Sequence, residues 1–124
     1  MPEENLKPNG SGIHRIVKAC LCSTQGFQAA FIYESAFRQE LALCLLLFPL
    51  SFLIADTPLE WLLLNTTLLL MLFAELVNSA IEALADSVSI AHHELLGRAK
   101  DLGSAAVFTA ISLLVITWVV VGLS

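Results

Sequence analysis

The chain has 124 residues, enough for one domain, and 57% of them are hydrophobic while only 14% are charged. Soluble domains average about 45–50% apolar and about 25% charged residues, so this composition argues against a soluble globular enzyme and against a disordered chain. The net charge of −5 provides no basic surface for nucleic acid, and three cysteines without a CxxC spacing predict neither a disulfide framework nor a zinc site.

The N-terminal part of the chain predicts a helix that lies on a membrane surface. Apolar residues recur at spacings of three and four through residues 13–32, with Arg15 and Lys18 between them. This pattern is typical of an amphipathic helix at the interface between membrane and water. Residues 1–12 are rich in Pro and Gly and are expected to form a flexible N-terminus. Residues 13–124 are then expected to form a single membrane domain.

Three apolar runs follow, and each predicts a transmembrane helix. A spanning helix needs about 20 mostly apolar residues. The run over residues 105–123 meets this requirement without a charge, and the second run meets it if it includes Glu75 and Glu82. The sequence therefore predicts an all-α membrane protein whose spans cover about residues 36–55, 60–84 and 102–122.

The basic residues predict how these spans are oriented. All six Lys and Arg residues lie before or at the very start of the first span or between the second and the third, and the segment 56–60 has none. By the positive-inside rule, the N-terminus and the 86–101 loop face the cytoplasm, while the C-terminus faces the opposite side. Trp61 and Trp118 fall near that outer boundary, where aromatic residues commonly form a belt.

Two carboxylates in the second span are the strongest indication of function. Glu75 and Glu82 are separated by ~10 Å along one helix face, and Asn78 lies on or beside that face. An ionisable side chain at the depth of Glu75 costs about 2.5–3.5 kcal/mol on insertion and is usually functional. Glu82 is expected at the level of the cytoplasmic headgroups. The alternatives are that Glu75 is a neutral acid bonded to a neighbouring helix and that Glu82 is merely solvated.

A magnesium site is expected where Glu34, just before the first span, reaches the depth of Glu82. Magnesium is usually held by one or two carboxylates together with phosphate oxygens and water. The simpler alternative for Glu34 is a surface ion pair with Arg38, four residues along the helix. The sequence contains neither a P-loop nor a dinucleotide fingerprint, which excludes a nucleotide site of either kind.

These parts fit the transfer of a phosphoryl group to a lipid hydroxyl. Such a reaction needs a metal ion on the phosphates, cations for the developing charge and a group that positions or deprotonates the acceptor. Glu34 and Glu82 would hold the metal ion, Lys100 would contact phosphate and Glu75 would act as the general base. A non-catalytic proton-conducting or assembly subunit is the alternative from another class. It would also have a lone carboxylate in the membrane.

Three segments resemble the signature segments of the prokaryotic diacylglycerol kinase family. They are ESAFRQE at 34–40, ELVNSAIEA at 75–83 and HELLGRAKDLGSAA at 93–106, and the resemblance covers about residues 12–121. It implies an ATP-dependent lipid kinase that phosphorylates 1,2-diacylglycerol to phosphatidate in the cytoplasmic leaflet of a bacterial inner membrane. The C-terminus would then be periplasmic. Undecaprenol kinase, a relative with the same motifs, is the alternative within this class.

The resemblance also implies a homotrimeric bundle whose active sites are shared between subunits and use Mg²⁺ with ATP. Glu75 matches the catalytic base, and Glu34 and Glu82 match the metal ligands. The positions that match nucleotide contacts are Arg15, Cys22, Glu34, Glu82, His93, Lys100 and Asp101. Cys22 stands where an aromatic residue is common in the family. The positions that match the lining of the lipid site are Arg38, Gln39, Glu40, Glu75, Asn78 and Ser104.

Overall fold

The structure, a computed structural model, describes residues 11–88 and 93–124. These residues form four α-helices and no strand: α1 (Gly12–Tyr33), α2 (Ser35–Ile54), α3 (Pro58–Val88) and α4 (Glu94–Leu123). The last three are long and apolar enough to cross a membrane. The prediction of an all-α fold with three helices able to span a membrane is therefore confirmed. The expectation that residues 1–12 are flexible falls almost entirely outside the described residues.

The second and third spanning helices are longer than predicted. Because α3 continues to Val88 and α4 begins at Glu94, most of the predicted 86–101 loop is helical, and those loop bounds were wrong. His93 is extended and its carbonyl accepts the Gly97 N–H at 2.9 Å, so α4 starts directly after it. The residues that follow are mostly strong helix formers. A helix of 30 residues is ~45 Å long, whereas the hydrocarbon layer is about 30 Å thick, so its polar first turns extend beyond the membrane.

The chain divides into two compact units, one containing α1 and the other comprising residues 34–124. α1 begins at Gly12, whose φ of 63° suits a residue without a Cβ. Large apolar side chains of α1, among them Ile13, Ile16 and Leu21, are exposed. This exposure fits a helix that inserts one face into a membrane surface, and that placement stays a prediction.

The buried residues of α2, α3 and α4 repeat with a period close to seven. On α2 they are Phe37, Cys44 and Ser51. On α3 they are Leu64, Thr67, Leu68, Met71, Ala74, Glu75, Asn78, Ser79 and Ala85. On α4 they are Gly103, Ala110, Leu114 and Val121. Spacings of three, four and seven residues keep one stripe of each helix against its neighbours, as in coiled coils. The stripes meet in a core formed by Cys44, Leu68, Met71 and Leu114.

The turn between α2 and α3 is fixed by hydrogen bonds from its own side chains. Thr57 Oγ1 accepts the Glu60 N–H at 3.2 Å, and Glu60 Oε1 accepts the Asp56 N–H at 3.0 Å. This arrangement is a close variant of the capping box, with Pro58 at the first helical position, where its missing N–H costs nothing. A short, capped turn of this kind makes α2 and α3 antiparallel neighbours.

Polar side chains link the three long helices near this turn. Asn65 Nδ2 donates to Ser51 Oγ at 3.1 Å, which joins α3 to α2. Trp118 Nε1 donates to Leu64 O at 3.2 Å and to Thr67 Oγ1 at 3.1 Å, which joins α4 to α3. Such bonds between membrane helices contribute about 0.6 kcal/mol each on average. The indole N–H of Trp118 is thus satisfied inside the bundle, whereas the sequence suggested only a position in the aromatic belt.

Gly103 allows α3 and α4 to approach closely beside Asn78. A Cβ at Gly103 would clash with Asn78 Oδ1. We therefore expect Gly103→Ala to lower the free energy of unfolding by about 1–3 kcal/mol, the usual cost of overpacking. Unfolding in mixed detergent micelles, followed by circular dichroism, measures this loss.

Gly122→Ala is the matched control for this substitution, because a Cβ at Gly122 meets nothing within 4 Å. Alanine favours helix over glycine by about 1 kcal/mol, so the control is expected to be as stable as the wild type or slightly more stable. Equal stability of the two variants would contradict the close contact at Gly103.

Candidate functional site

Among the described residues, Glu75 is the one carboxylic acid that is fully buried, with 4% of its surface exposed. It lies on the buried stripe of α3, one turn after Met71. Ser79 Oγ donates a hydrogen bond to Glu75 Oε1 at 3.3 Å. A buried carboxyl group is costly unless it has such partners, and these partners also hold it in a defined position.

Two carboxylates of the α2 segment approach Glu75. The Glu40 side chain lies within hydrogen-bonding reach of the Glu75 carboxyl group, and Glu34 interacts with it electrostatically. Glu34 is the residue that precedes α2, and its side chain makes no hydrogen bond to the helix end, so the carboxylate is not used as a cap. The start of α2 therefore contributes acidic groups to the region around Glu75.

Asn78 and Glu82 continue the same face of α3 toward its C-terminal end. Asn78 Nδ2 lies 3.5 Å from Glu82 Oε1, at the limit of a hydrogen bond. Glu82 is only partly buried and also interacts electrostatically with Glu75. The prediction that Glu75 and Glu82 share one face is thus confirmed, with Glu75 enclosed and Glu82 nearer the surface. The prediction that Glu34 and Glu82 hold one metal ion between them stays a prediction.

This region has more hydrogen-bond acceptors than donors. Glu40 Oε1 and Asn78 Oδ1 are both buried without a hydrogen-bond partner among the described residues. An excess of carboxylate and amide oxygens suits a hard cation such as Mg²⁺, or the hydroxyl group of a substrate. In 11–88 and 93–124 no three His, Cys, Asp or Glu side chains form a complete metal site by themselves. A cation held here would therefore need ligands from elsewhere, such as phosphate oxygens and water.

Lys100 provides a positive charge next to these acidic groups. Its Nζ lies 2.6 Å from Asp86 Oδ1, and the pair bridges α3 and α4. Lys100 also interacts electrostatically with Glu82. Its side chain is 40% exposed, so the ammonium group is accessible to a charged ligand.

The other predicted site residues of residues 34–124 lie at exposed positions on α2 and around the start of α4. His93 directly precedes α4, and Asp101 and Ser104 are exposed within its first three turns. Arg38 and Gln39 are exposed in the first turns of α2. Two further positions are exposed on α1: Arg15 and Cys22.

Two residues of this region were not predicted from the sequence. Ser79 is the donor to Glu75, and Asp86 is the partner of Lys100. Each stands four residues after a predicted site residue, Glu75 in one case and Glu82 in the other, and so lies on the same helix face. The helical spacing was a usable signal for both, but neither residue type is unusual at its depth.

The arrangement suits proton transfer and anion binding at neighbouring points. A buried carboxylate can accept a proton from an alcohol that reaches it through the apolar part of the bundle. The partly exposed carboxylates Glu34 and Glu82 can bind a cation, and the Lys100 ammonium group can donate to phosphate oxygens. Since the enclosed base and the exposed charges lie on one helix face, an apolar and a highly charged substrate can meet there.

Comparisons with known proteins bear on this site. A family model described as prokaryotic diacylglycerol kinase matches residues 21–122. Proteins named diacylglycerol kinase are similar along most of their length. The one from Escherichia coli K12 is 44% identical over 110 residues, which cover 89% of this chain and 90% of the relative. The one from Pseudomonas aeruginosa is 45% identical over 108 residues, which cover 87% of this chain and 88% of the relative. The one from Haemophilus influenzae is 41% identical over 108 residues, which cover 87% of this chain and 92% of the relative.

Proposed function

The chain belongs to the prokaryotic diacylglycerol kinase family, and on that premise we propose that it transfers the γ-phosphoryl group of ATP to 1,2-diacylglycerol. The products are ADP and phosphatidate. The chain is a membrane protein and an enzyme of the kinase class, with a lipid and ATP as substrates. The observation that carries the proposal most directly is the buried Glu75, which shares a helix face with Glu82 and is approached by Glu34 and Glu40.

In the proposed reaction, Glu75 receives the proton of the free diacylglycerol hydroxyl group. The hydroxyl oxygen forms a bond to the γ-phosphorus of ATP while the bond between that phosphorus and the β,γ-bridging oxygen breaks, and ADP leaves. Ser79 holds the Glu75 carboxyl group in place through its 3.3 Å hydrogen bond. Phosphoryl transfer needs mainly positioning and charge stabilisation, so one well-placed base and a set of charged groups are sufficient.

Glu34 and Glu82 are proposed to hold the Mg²⁺ that accompanies ATP. The bound ion would neutralise charge on the phosphates, which is the usual part of magnesium in phosphoryl transfer. Lys100 is proposed to donate to the phosphates, together with Arg15, Cys22, His93 and Asp101 as further nucleotide contacts. The partly exposed carboxylates of Glu34 and Glu82, which both interact electrostatically with Glu75, support a cation on this side of α3.

The lipid is proposed to enter from the bilayer and to reach Glu75 beside Asn78. Further contacts are proposed for the polar positions at the start of α2 and on α4, which are Arg38, Gln39, Glu40 and Ser104. Glu40 Oε1 and Asn78 Oδ1 are buried and accept no hydrogen bond from the described residues. Each can therefore accept a hydrogen bond from the hydroxyl group of the lipid.

We further propose that the enzyme is a homotrimer with active sites shared between subunits. Ala80 and Ala83 on α3, and Ala105 and Ala106 on α4, are small and exposed in the single chain. Small residues let membrane helices approach closely. A partner helix on these faces would complete a site that one chain with three spans encloses only in part.

The proposed orientation places the N-terminus and the polar start of α4 in the cytoplasm of a bacterium, with the C-terminus on the periplasmic side of the inner membrane. In cells in which Cys20, Cys22 and Cys44 are replaced by serine, a cysteine introduced by Pro58→Cys is expected to react with a membrane-impermeant maleimide. One introduced by Leu95→Cys is expected to react only after the cells are opened. The reverse labelling pattern would overturn the orientation drawn from the basic residues.

An assay of lipid phosphorylation tests the proposed function. The purified chain in mixed micelles is supplied with labelled ATP, Mg²⁺ and either 1,2-diacylglycerol or undecaprenol. We expect labelled phosphatidate to form and diacylglycerol to be the better acceptor. Faster labelling of undecaprenol would assign the chain to polyprenol phosphorylation, and labelling of neither lipid would contradict a kinase function.

A further inference from the structure

The ion pair between Lys100 and Asp86 joins two helices at the point where the charged substrate is proposed to bind. Asp86 lies in the last turn of α3, and Lys100 lies in the second turn of α4. The distance of 2.6 Å from Lys100 Nζ to Asp86 Oδ1 is that of a short charge-assisted hydrogen bond. Side chains 40% and 59% exposed leave both groups in contact with water. Nothing in the proposed reaction so far uses Asp86.

Two carboxylates on α3 are possible ion-pair partners for Lys100. Glu82 and Asp86 are four residues apart and therefore lie on the same helix face, and both interact electrostatically with Lys100. The hydrogen bond is made to Asp86, the carboxylate nearer the helix end, and not to Glu82. If the Asp86 carboxylate were removed, Lys100 would be expected to pair with Glu82, which is the residue proposed to hold the metal ion.

We propose that Asp86 is a positioning residue for the kinase reaction, which orients Lys100 for the phosphates of Mg·ATP and keeps it away from Glu82. The inference rests on the proposed function, since it assigns Lys100 to the phosphates and Glu82 to the metal ion. An ammonium group has three N–H donors, so the bond to Asp86 leaves two for phosphate oxygens. Lysine loses much rotamer freedom when it binds a ligand, and a side chain already held in place loses less.

The Glu94–Arg98 pair provides a contrast on the same helix. It joins two residues of α4 at 3.5 Å, and its side chains are 88% and 61% exposed. This pair lies within one helix, whereas the Asp86–Lys100 pair fixes a cation relative to the acidic face of α3. Glu94→Gln therefore removes an equal charge from the same region without changing the position of Lys100.

The test measures nucleotide binding and turnover for Asp86→Asn, Asp86→Glu and Glu94→Gln. Binding of a non-hydrolysable ATP analogue with Mg²⁺ is followed by calorimetry in detergent micelles. For Asp86→Asn we expect the dissociation constant of the analogue and the KM for Mg·ATP to rise about tenfold, the scale of one hydrogen bond between charged groups. The kcat and the KM for diacylglycerol are expected to stay unchanged. Asp86→Glu is expected to restore most of the affinity, and Glu94→Gln to bind as the wild type does.

A second background shows whether Asp86 acts through Lys100. In Lys100→Gln, the further change Asp86→Asn is expected to leave the dissociation constant of the analogue unchanged. A loss that persists without Lys100 would make Asp86 a direct ligand and overturn the inference. So would tighter binding by Asp86→Asn, which would mean that Asp86 competes with phosphate. An unchanged affinity combined with a lower unfolding midpoint would assign the pair to stability alone.

These measurements separate the inference from the proposed function. Coupling between Asp86 and Lys100 in analogue binding supports the inference even for a chain that labels neither lipid. Conversely, a chain that phosphorylates diacylglycerol but shows no coupling retains the proposed function and loses the role of Asp86.

Discussion

Replacement of Glu75 by glutamine is expected to lower kcat by about 10²-fold or more, the loss that is typical when a general base is removed. Glutamine keeps the size of the side chain and can still bond to Ser79, but it cannot accept the proton of the lipid hydroxyl group. The KM for Mg·ATP should change little, because Glu75 is ~10 Å from Glu82 along α3. Steady-state rates of phosphatidate formation, measured against both substrates, give these constants.

The stability of this variant separates chemistry from structure. Removing an acid from the membrane interior avoids an insertion cost of about 2.5–3.5 kcal/mol, so Glu75→Gln should be at least as stable as the wild type. Normal turnover would leave the base unidentified. Loss of activity only through failed assembly, visible as a changed elution volume in detergent, would assign Glu75 to structure.

Replacement of Glu82 by glutamine is expected to abolish most activity while leaving lipid binding intact. Loss of one carboxylate from the proposed magnesium site should lower the rate at a fixed Mg²⁺ concentration by about tenfold to hundredfold, the scale of one lost interaction between charged groups. Glu34→Gln should behave in the same way, since it removes the other carboxylate. Rates measured over a range of Mg²⁺ concentrations check this expectation.

The Mg²⁺ dependence distinguishes a metal ligand from a residue that is merely near the site. Higher Mg²⁺ is expected to restore part of the activity of Glu82→Gln and Glu34→Gln, because a weakened site can still be filled. Glu94→Gln serves as the control, since this exposed acid lies outside the proposed site. Full activity of Glu82→Gln at ordinary Mg²⁺ would remove Glu82 from the metal site.

Much of the fold follows from hydropathy alone, because a membrane restricts what an apolar segment can form. Runs of about 20 apolar residues have to be helices, since only a helix satisfies its own backbone in lipid. The ends of those helices do not follow in the same way. The polar stretch from Glu94 to Asp101 was predicted as part of a loop, whereas helix formers continue α4 through it, beyond the hydrocarbon layer.

The candidate site could be predicted only in part from the amino-acid sequence. The seven-residue spacing of Glu75 and Glu82 fixed their common face, because helical geometry is local. Contacts between helices are not local, so the approach of Glu40 to Glu75 and the pairing of Asp86 with Lys100 had to come from the structure. Likewise, the contact between Gly103 and Asn78 depends on how closely α3 and α4 pack, which no spacing along either helix specifies.

We propose that α3 separates two tasks along one face, with proton transfer at Glu75 and metal-nucleotide binding at Glu82. The most direct test is the dissociation constant of a non-hydrolysable ATP analogue with Mg²⁺, measured for Glu75→Gln and Glu82→Gln in the same detergent. We expect Glu75→Gln to bind the analogue as the wild type does and Glu82→Gln to bind it about tenfold more weakly or worse. Equal affinities for the two variants, or weaker binding by Glu75→Gln alone, would contradict this division of tasks.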